Sequence, residues 1–193
     1  MRIDAGTHKG TKLIAPEGAD VRPTSDRARQ AIFNMLMHRF DAVRGAKVLD
    51  AFAGSGALGL EALSRGAESL VVFEIAKPAL EALKRNIKAC HEIARTLVFS
   101  HDARNPPNAA SHKHYAPCSL IFLDPPYEKS LIVPTLTALQ AAGWIAPEAL
   151  VVAEMSAMED LPEIAGFAVE DERRYGKAKI VLLRANKQKI LGA

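Results

Sequence analysis

The feature that most limits the possible folds is an apolar run that ends on an acid, turns through three glycines and restarts as a helix. It is Ala46-Lys-Val-Leu-Asp-Ala-Phe-Ala-Gly-Ser-Gly-Ala-Leu-Gly-Leu-Glu61. Val48 and Leu49 read as a buried strand with Asp50 at its carboxyl end, and Gly54, Gly56 and Gly59 lead into a Leu/Ala-rich helix. Glycine in such a turn lets the backbone take φ > 0 and approach a ligand closely, and the first N–H groups of the helix face the same crevice. The spacing fits a dinucleotide fingerprint, and by itself it also fits close packing of a βα unit.

A second stretch separates the possible cofactors. Ser119-Leu-Ile-Phe-Leu-Asp-Pro-Pro-Tyr127 is another buried strand ending in an acid, followed by two prolines and an aromatic ring. Hydride transfer does not ask for this arrangement, whereas methylation of an exocyclic nucleobase amine does. The lone pair of such an amine is delocalised into the ring and must be freed before it can attack. The Asp124 carboxylate and the Pro125 carbonyl can accept its two N–H groups and favour a pyramidal nitrogen. Pro125 and Pro126 fix the direction of that carbonyl and remove competing donors, and Tyr127 offers a face for a flipped base. The bland reading is a rigid turn after a strand, but carboxyl ends of strands are where open α/β sheets bind ligands.

These two stretches, with Val21-Arg-Pro-Thr-Ser-Asp-Arg-Ala-Arg-Gln-Ala-Ile-Phe-Asn34 upstream and the amino-terminal Met1-Arg2-Ile3 and Gly10-x-Lys12-Leu13, resemble the RsmD-type methyltransferases. The resemblance runs over nearly the whole chain. It implies methylation of the N2 amine of one guanine in bacterial small-subunit (16S) ribosomal RNA with S-adenosyl-L-methionine as donor. It also implies that Arg22 and Thr24 stand near the methionine end of that donor, and that Asp102 meets the adenine amine.

The 193 residues, about half apolar at 49%, suffice for one domain and a small appendage. All 22 acidic residues precede Arg173, so the first 172 residues are net −4, while the remaining stretch carries seven Lys or Arg and no acid. That asymmetry suits a surface meeting a polyanion, or a solvated basic end. Cys90 and Cys118 stand at no metal-ligand spacing and read as reduced thiols. No apolar run approaches the roughly 18 residues of a membrane span, and no export signal is evident. A cytoplasmic, monomeric protein without membrane attachment is expected.

Along the chain, Arg2 to Ala5 and Thr11 to Ala15 read as a β-hairpin outside the main sheet, its Arg2, Lys9 and Lys12 able to track RNA phosphates or merely to cover an edge. A helix from about Asp26 to Phe40 follows, capped by Thr24 or Ser25. Ser69 to Glu74 is a second buried strand, and Glu74 lies 24 residues after Asp50, near the interval that places a carboxylate on an adenosine ribose. Asp50, with Phe52, Ala53, Gly54, Ser55 and Gly56, leans toward a cationic methionine amine, because a pyrophosphate would be repelled there. Pro78 opens a helix to about Cys90, Thr96 to Ser100 is a third strand, and Asp102 follows it. His112 and His114 are a weak metal cue without acidic or thiol company, and no metal is expected. Ser130 to Ala142 reads as a helix and Ala149 to Glu154 as a fifth strand. Phe167 to Tyr175 and Lys179 to Ala185 form a closing hairpin whose Arg173, Arg174, Lys177 and Lys179 are candidate RNA contacts.

The expectation is an α/β fold, a doubly wound Rossmann-like sheet of seven strands in the order 3-2-1-4-5-7-6 with the seventh antiparallel. Residues 1–20 form the hairpin extension and residues 21–193 the methyltransferase domain. Three alternatives stay open: an adenine-N6 methyltransferase on DNA or RNA, a non-catalytic RNA-binding assembly factor, and an NAD-linked dehydrogenase.

Overall fold

The computed structural model describes residues 1–16, 26–126 and 130–187. Arg22, Thr24, Tyr127, the boundary between extension and domain, and the last six residues of the basic tail lie outside the described residues.

Seven strands form one sheet: β1 (Lys47–Asp50), β2 (Ser69–Phe73), β3 (Thr96–Phe99), β4 (Cys118–Leu123), β5 (Ile145–Ser156), β6 (Phe167–Tyr175) and β7 (Ala178–Ala185). Their order is β3-β2-β1-β4-β5-β7-β6. The first five run parallel, and β7 is antiparallel to both β5 and β6. Among the described residues four α-helices accompany them: α1 (Asp26–His38), α2 (Ala57–Ser64), α3 (Lys77–Ala89) and α4 (Ile132–Ala141).

Strand alternation divides the core into two layers. Val48, Val72, Phe122, Val152 and Leu182 point to one face, where Ile32, Phe33 and Leu36 of α1, Leu60 and Leu63 of α2 and Leu83 of α3 cover them. Leu49, Val71, Ile121, Val151 and Leu183 point to the other, packed against Leu136 and Leu139 of α4 and against Trp144. Burial on both faces explains why the parallel strands read as continuous apolar runs. Trp144 is wholly buried, donates Nε1–H to the Pro107 carbonyl at 2.8 Å, and is stacked on by His112. That packing gives His112 a structural part.

The amino-terminal segment is a looser ribbon than the expected hairpin, with a single antiparallel bridge between Arg2 and Lys12. Its stability comes from docking instead. Ile3 and Leu13 are buried, the Glu61 carboxylate of α2 accepts the N–H groups of Asp4 and Ala5, and Arg29 of α1 holds Asp4 at 2.9 Å. Gly6, at φ +83°, lies so close to α2 that a Cβ there would fall 1.8 Å from the Ser64 carbonyl oxygen. The segment therefore belongs to the core on the α1–α2–α3 side.

Candidate active site

Strand order reverses between β1 and β4, and a crevice opens at such a switch point beyond the carboxyl ends of the strands. Asp50 pairs with Val72 of β2 on one side and with Phe122 of β4 on the other. Glu74 and Asp124 each stand two residues beyond those partners, just past the carboxyl ends of β2 and β4. From strand spacing and rise, the Asp50 and Asp124 Cα atoms are about 8 Å apart. The topology thus brings together three of the acids singled out above.

The glycine turn is built around Asp50, which is only 1% exposed. Its Oδ1 atom has no hydrogen-bond partner. Burial raises its carboxyl from 3.8 to about 7, against the opposing pull of the Phe52 and Gly59 backbone N–H groups; nearby Glu74 raises it further. A buried, unsatisfied carboxyl costs several kcal/mol unless something cationic or donating meets it. The three glycines serve different ends. Gly54 (φ +54°) has open space where a Cβ would be, so a ligand can reach its backbone, whereas a Cβ on Gly56 or Gly59 would strike Leu83 or Leu70. Gly54 is a ligand-facing position, and the other two set the packing of α2 against α3 and β2. Phe52 is half-buried against the α4-side layer, and Ala53 and Ser55 are buried.

Glu74 ties this turn to β2. Its Oε2 accepts the Gly54 N–H at 2.8 Å and its Oε1 accepts those of Ile75 and Ala76. A carboxylate offers about four lone-pair positions, so an oxygen oriented by these bonds can still accept a ribose hydroxyl. Ile75, 64% exposed beside it, presents an apolar face at the same lip. Asp102, past the end of β3, is clamped by the Arg104 guanidinium and backbone N–H, which hold its carboxyl below the usual range. At β4, Asp124 is half-buried, Pro125 buried and Pro126 exposed.

Two residues that sequence patterning did not single out support the turn. Asn86 of α3 is fully buried; its Nδ2 donates to the Ser55 carbonyl at 2.8 Å and to Ile14 O, and its Oδ1 accepts Ile14 N–H. Glu61, also fully buried, joins the ribbon to α2 and accepts Arg65 Nε–H at 2.6 Å. Both sit on helix faces that periodicity marks as core. A polar residue at a core position was the available signal, and it reads as structural until the ribbon is in place.

The candidate RNA contacts fall into two groups. Ala178 pairs with Ser156 at the carboxyl end of β5, so the exposed Arg173, Arg174 and Lys177 flank the same edge as Asp124. Lys179, placed with them by sequence, is instead 3% exposed and faces Glu172 at 3.7 Å. Arg2, Lys9 and Lys12 are exposed on the ribbon, whose Gly6–Gly10 turn docks at Ser64, the end of α2 away from Gly56. Neither cysteine is a nucleophile here: both are buried, and burial pushes the Cys118 thiol up to about 12 and raises that of Cys90.

Dinucleotide-binding sheets share the glycine turn and the ribose acid, but a reversed β7 inserted between β5 and β6 separates this sheet from them. With Asp124-Pro125-Pro126 across the switch point from Asp50, the fold and site define a methyltransferase of the S-adenosylmethionine-dependent class. Comparison with known proteins narrows this. The chain belongs to the family described as Conserved hypothetical protein 95, matched over residues 1–184, which is the RsmD-type family. It is 34% identical over 191 residues to Ribosomal RNA small subunit methyltransferase D of Escherichia coli (strain K12), covering 97% of this chain and 91% of that one. The protein of the same name from Haemophilus influenzae is 35% identical over 162 residues, covering 80% and 78%. The solved structure of yhhF from Escherichia coli superposes with a TM-score of 0.82 at 33% identity, over 97% of this chain and 99% of that one. Among the described residues, no helix is long and apolar enough to cross a membrane.

Proposed function

We propose that this chain transfers a methyl group from S-adenosyl-L-methionine to the exocyclic N2 of a guanine in small-subunit ribosomal RNA, acting in the cytoplasm as a monomer on an assembling or assembled subunit. The observation that carries the reading is the placement of Asp50 and Asp124 on neighbouring strands at the switch point.

The residues present fit the donor. The buried Asp50 carboxyl matches a methionine ammonium, the open face of Gly54 admits a backbone-hugging ligand, and Glu74 and Ile75 suit a ribose and an adenine ring. The resemblance adds Arg22 and Thr24 at the methionine end and Asp102 at the adenine amine. Because Asp102 already bonds Arg104, it has one remaining direction in which to accept. When bound, S-adenosylmethionine supplies an activated methyl group on a cationic sulfur.

Asp124 and the Pro125 carbonyl accept the two N–H groups of the amine, which localises its lone pair toward the incoming carbon. Asp124 then takes the proton that the methylated nitrogen sheds. Tyr127 stacks the extruded base, an assignment resting on the Asp-Pro-Pro-Tyr pattern. Positioning carries the acceleration, and no covalent enzyme intermediate is required. Arg173, Arg174 and Lys177 approach RNA phosphates at the edge of the site, and Arg2, Lys9 and Lys12 extend the basic surface.

The test is incubation with labelled S-adenosylmethionine and undermethylated small subunits, then mass analysis of the nucleosides. N2-methylguanosine at one position, lost in Asp124→Ala with little change in donor affinity, is the expected result. N6-methyladenosine would transfer the chain to the adenine alternative.

A further inference from the structure

The hairpin of β6 and β7 ends at the same edge of the sheet as the candidate site. Leu123 pairs with Ala153; the next residue of β5, Glu154, pairs with Ile180, and Ile180 with Arg173. Two residues further out, Ser156 pairs with Ala178 and Ala178 with Tyr175. Ile180 belongs to the α1-side layer and Tyr175 packs partly against that layer, so Arg173 and Tyr175 share one face of β6. Ser156 and Ala178, the other members of the outer row, are small, and the half-buried tyrosine ring stands proud of them. With strands about 4.8 Å apart and a rise of about 3.4 Å per residue, the Tyr175 Cα lies about 16 Å from that of Asp124.

The tip of the hairpin is open and basic. Gly176 (φ +62°) has open space where a Cβ would stand. Asp171 is shared by Arg39 and Arg173, and Glu172 by Arg174 and Lys179, so each carboxylate faces two cations; among the described residues Lys177 faces no carboxylate. The Ala157 N–H donates to the Lys177 carbonyl at 2.9 Å, and Ser156 Oγ accepts the Met158 N–H at 3.3 Å. Those bonds hold beside the tip a methionine that is 92% exposed, with Glu159 and Asp160 following it in the chain. Positive charge interleaved with an aromatic ring and a thioether suits a strand that offers phosphates and bare base faces together, whereas a duplex keeps its base faces stacked on one another.

Resting on the function proposed above, we infer that Tyr175 is a stacking platform for an unpaired RNA base other than the target, and that the substrate crosses the carboxyl edge of β5 as a single strand. A separation of about 16 Å is several times the roughly 3.4 Å rise between stacked bases, so the ring receives a base a few nucleotides from the methylated one. Arg173, Arg174 and Lys177 meet the phosphates beside it, and Met158 adds apolar contact.

The experiment measures binding of a fluorescent, guanine-containing oligoribonucleotide of about 10 nucleotides to the full chain, free and paired with its complement. Wild type is expected to bind the single strand about tenfold more tightly than the duplex. Tyr175→Leu, which keeps apolar packing and loses the flat ring, should weaken single-strand binding about tenfold at every salt concentration, with S-adenosylhomocysteine affinity unchanged, and Tyr175→Phe should bind as wild type does. Removing one base at a time from the oligonucleotide should cost wild type about tenfold at one position away from the target guanine, and cost Tyr175→Leu little there. Equal binding of strand and duplex by wild type, no position sensitive to base removal, or a Tyr175→Phe variant as weak as Tyr175→Leu would each overturn the assignment. A chain that binds the strand through Tyr175 yet methylates no guanine would remove the proposed function and uphold the platform.

Discussion

Replacing Asp50 with asparagine keeps the shape of the residue and removes a buried charge. The carboxyl is 1% exposed, and burial raises it from 3.8 to about 7. A group that holds its proton more tightly when folded contributes stability that is complete below its unfolded value, near pH 4. That contribution is lost as pH rises through about 7. At roughly 1.4 kcal/mol for each pH unit separating the folded from the unfolded value, the ionised form costs about 4 kcal/mol, an upper bound because solvent relaxation reduces it. Urea unfolding of both ligand-free proteins from about pH 4 to about pH 8 should show the stability difference moving in favour of Asp50→Asn by several kcal/mol, with most of the change between about pH 5 and roughly pH 7. S-Adenosylhomocysteine should recover most of that difference for wild type above about pH 7. At a hundredfold excess over Kd it adds about 2.7 kcal/mol to wild type and little to a variant lacking the anion that meets the ammonium. A stability difference that does not change with pH would refute the claim that Asp50 is held in the fold against its own charge.

Three other outcomes follow from the same geometry. Gly6→Ala should lower stability by about 3 kcal/mol and the melting temperature by about 10 °C, since left-handed φ and a backbone clash at Ser64 combine. Gly10→Ala, at φ +88° with open space, should cost only about 1 kcal/mol, and equal costs at the two positions would contradict the docking of the ribbon. Asn86→Ala removes three hydrogen bonds from a fully buried site; calorimetry should show about 3 kcal/mol lost together with weaker S-adenosylhomocysteine binding, and unaltered affinity would separate Asn86 from the glycine turn. The Arg174→Ala, Lys177→Ala double variant should reduce the slope of log affinity for small-subunit RNA against log salt by about 1.5, whereas an unchanged slope would leave both as solubility charges.

Much of the fold was legible because a strand buried on both faces writes itself as an unbroken apolar run. Val48-Leu49, Leu70 to Phe73 and Leu120 to Leu123 could be little else, and each run ends on an acid at the edge where ligands bind. Of the closing pair, β7 was legible for the same reason through Ile180 to Leu183, whereas the mostly exposed β6 was read from the Gly176-Lys177 turn that joins the two; with the family resemblance the pair gave the order of all seven. The ribbon was harder to read. Its short alternation suggested a hairpin, yet its stability lies in Glu61, Asn86, Arg29 and Ser64, residues 25 to 72 positions distant in the chain.

Local chemistry along the chain determined which segments are strands, where the glycines turn, and that Asp50 and Asp124-Pro125-Pro126 each stand at the carboxyl end of a buried strand. Only the tertiary structure decided that Asp50 is buried deeply enough for its carboxyl to rise to about 7, that Lys179 is covered while Arg174 and Lys177 stay exposed near the carboxyl end of β5, and that Glu154 stands level with Asp124 on the adjacent strand. Backbone preference and hydrophobic period act over a few residues and are written in the local sequence. Desolvation and register depend on which distant segments come to lie alongside, and those exist only once the sheet has assembled.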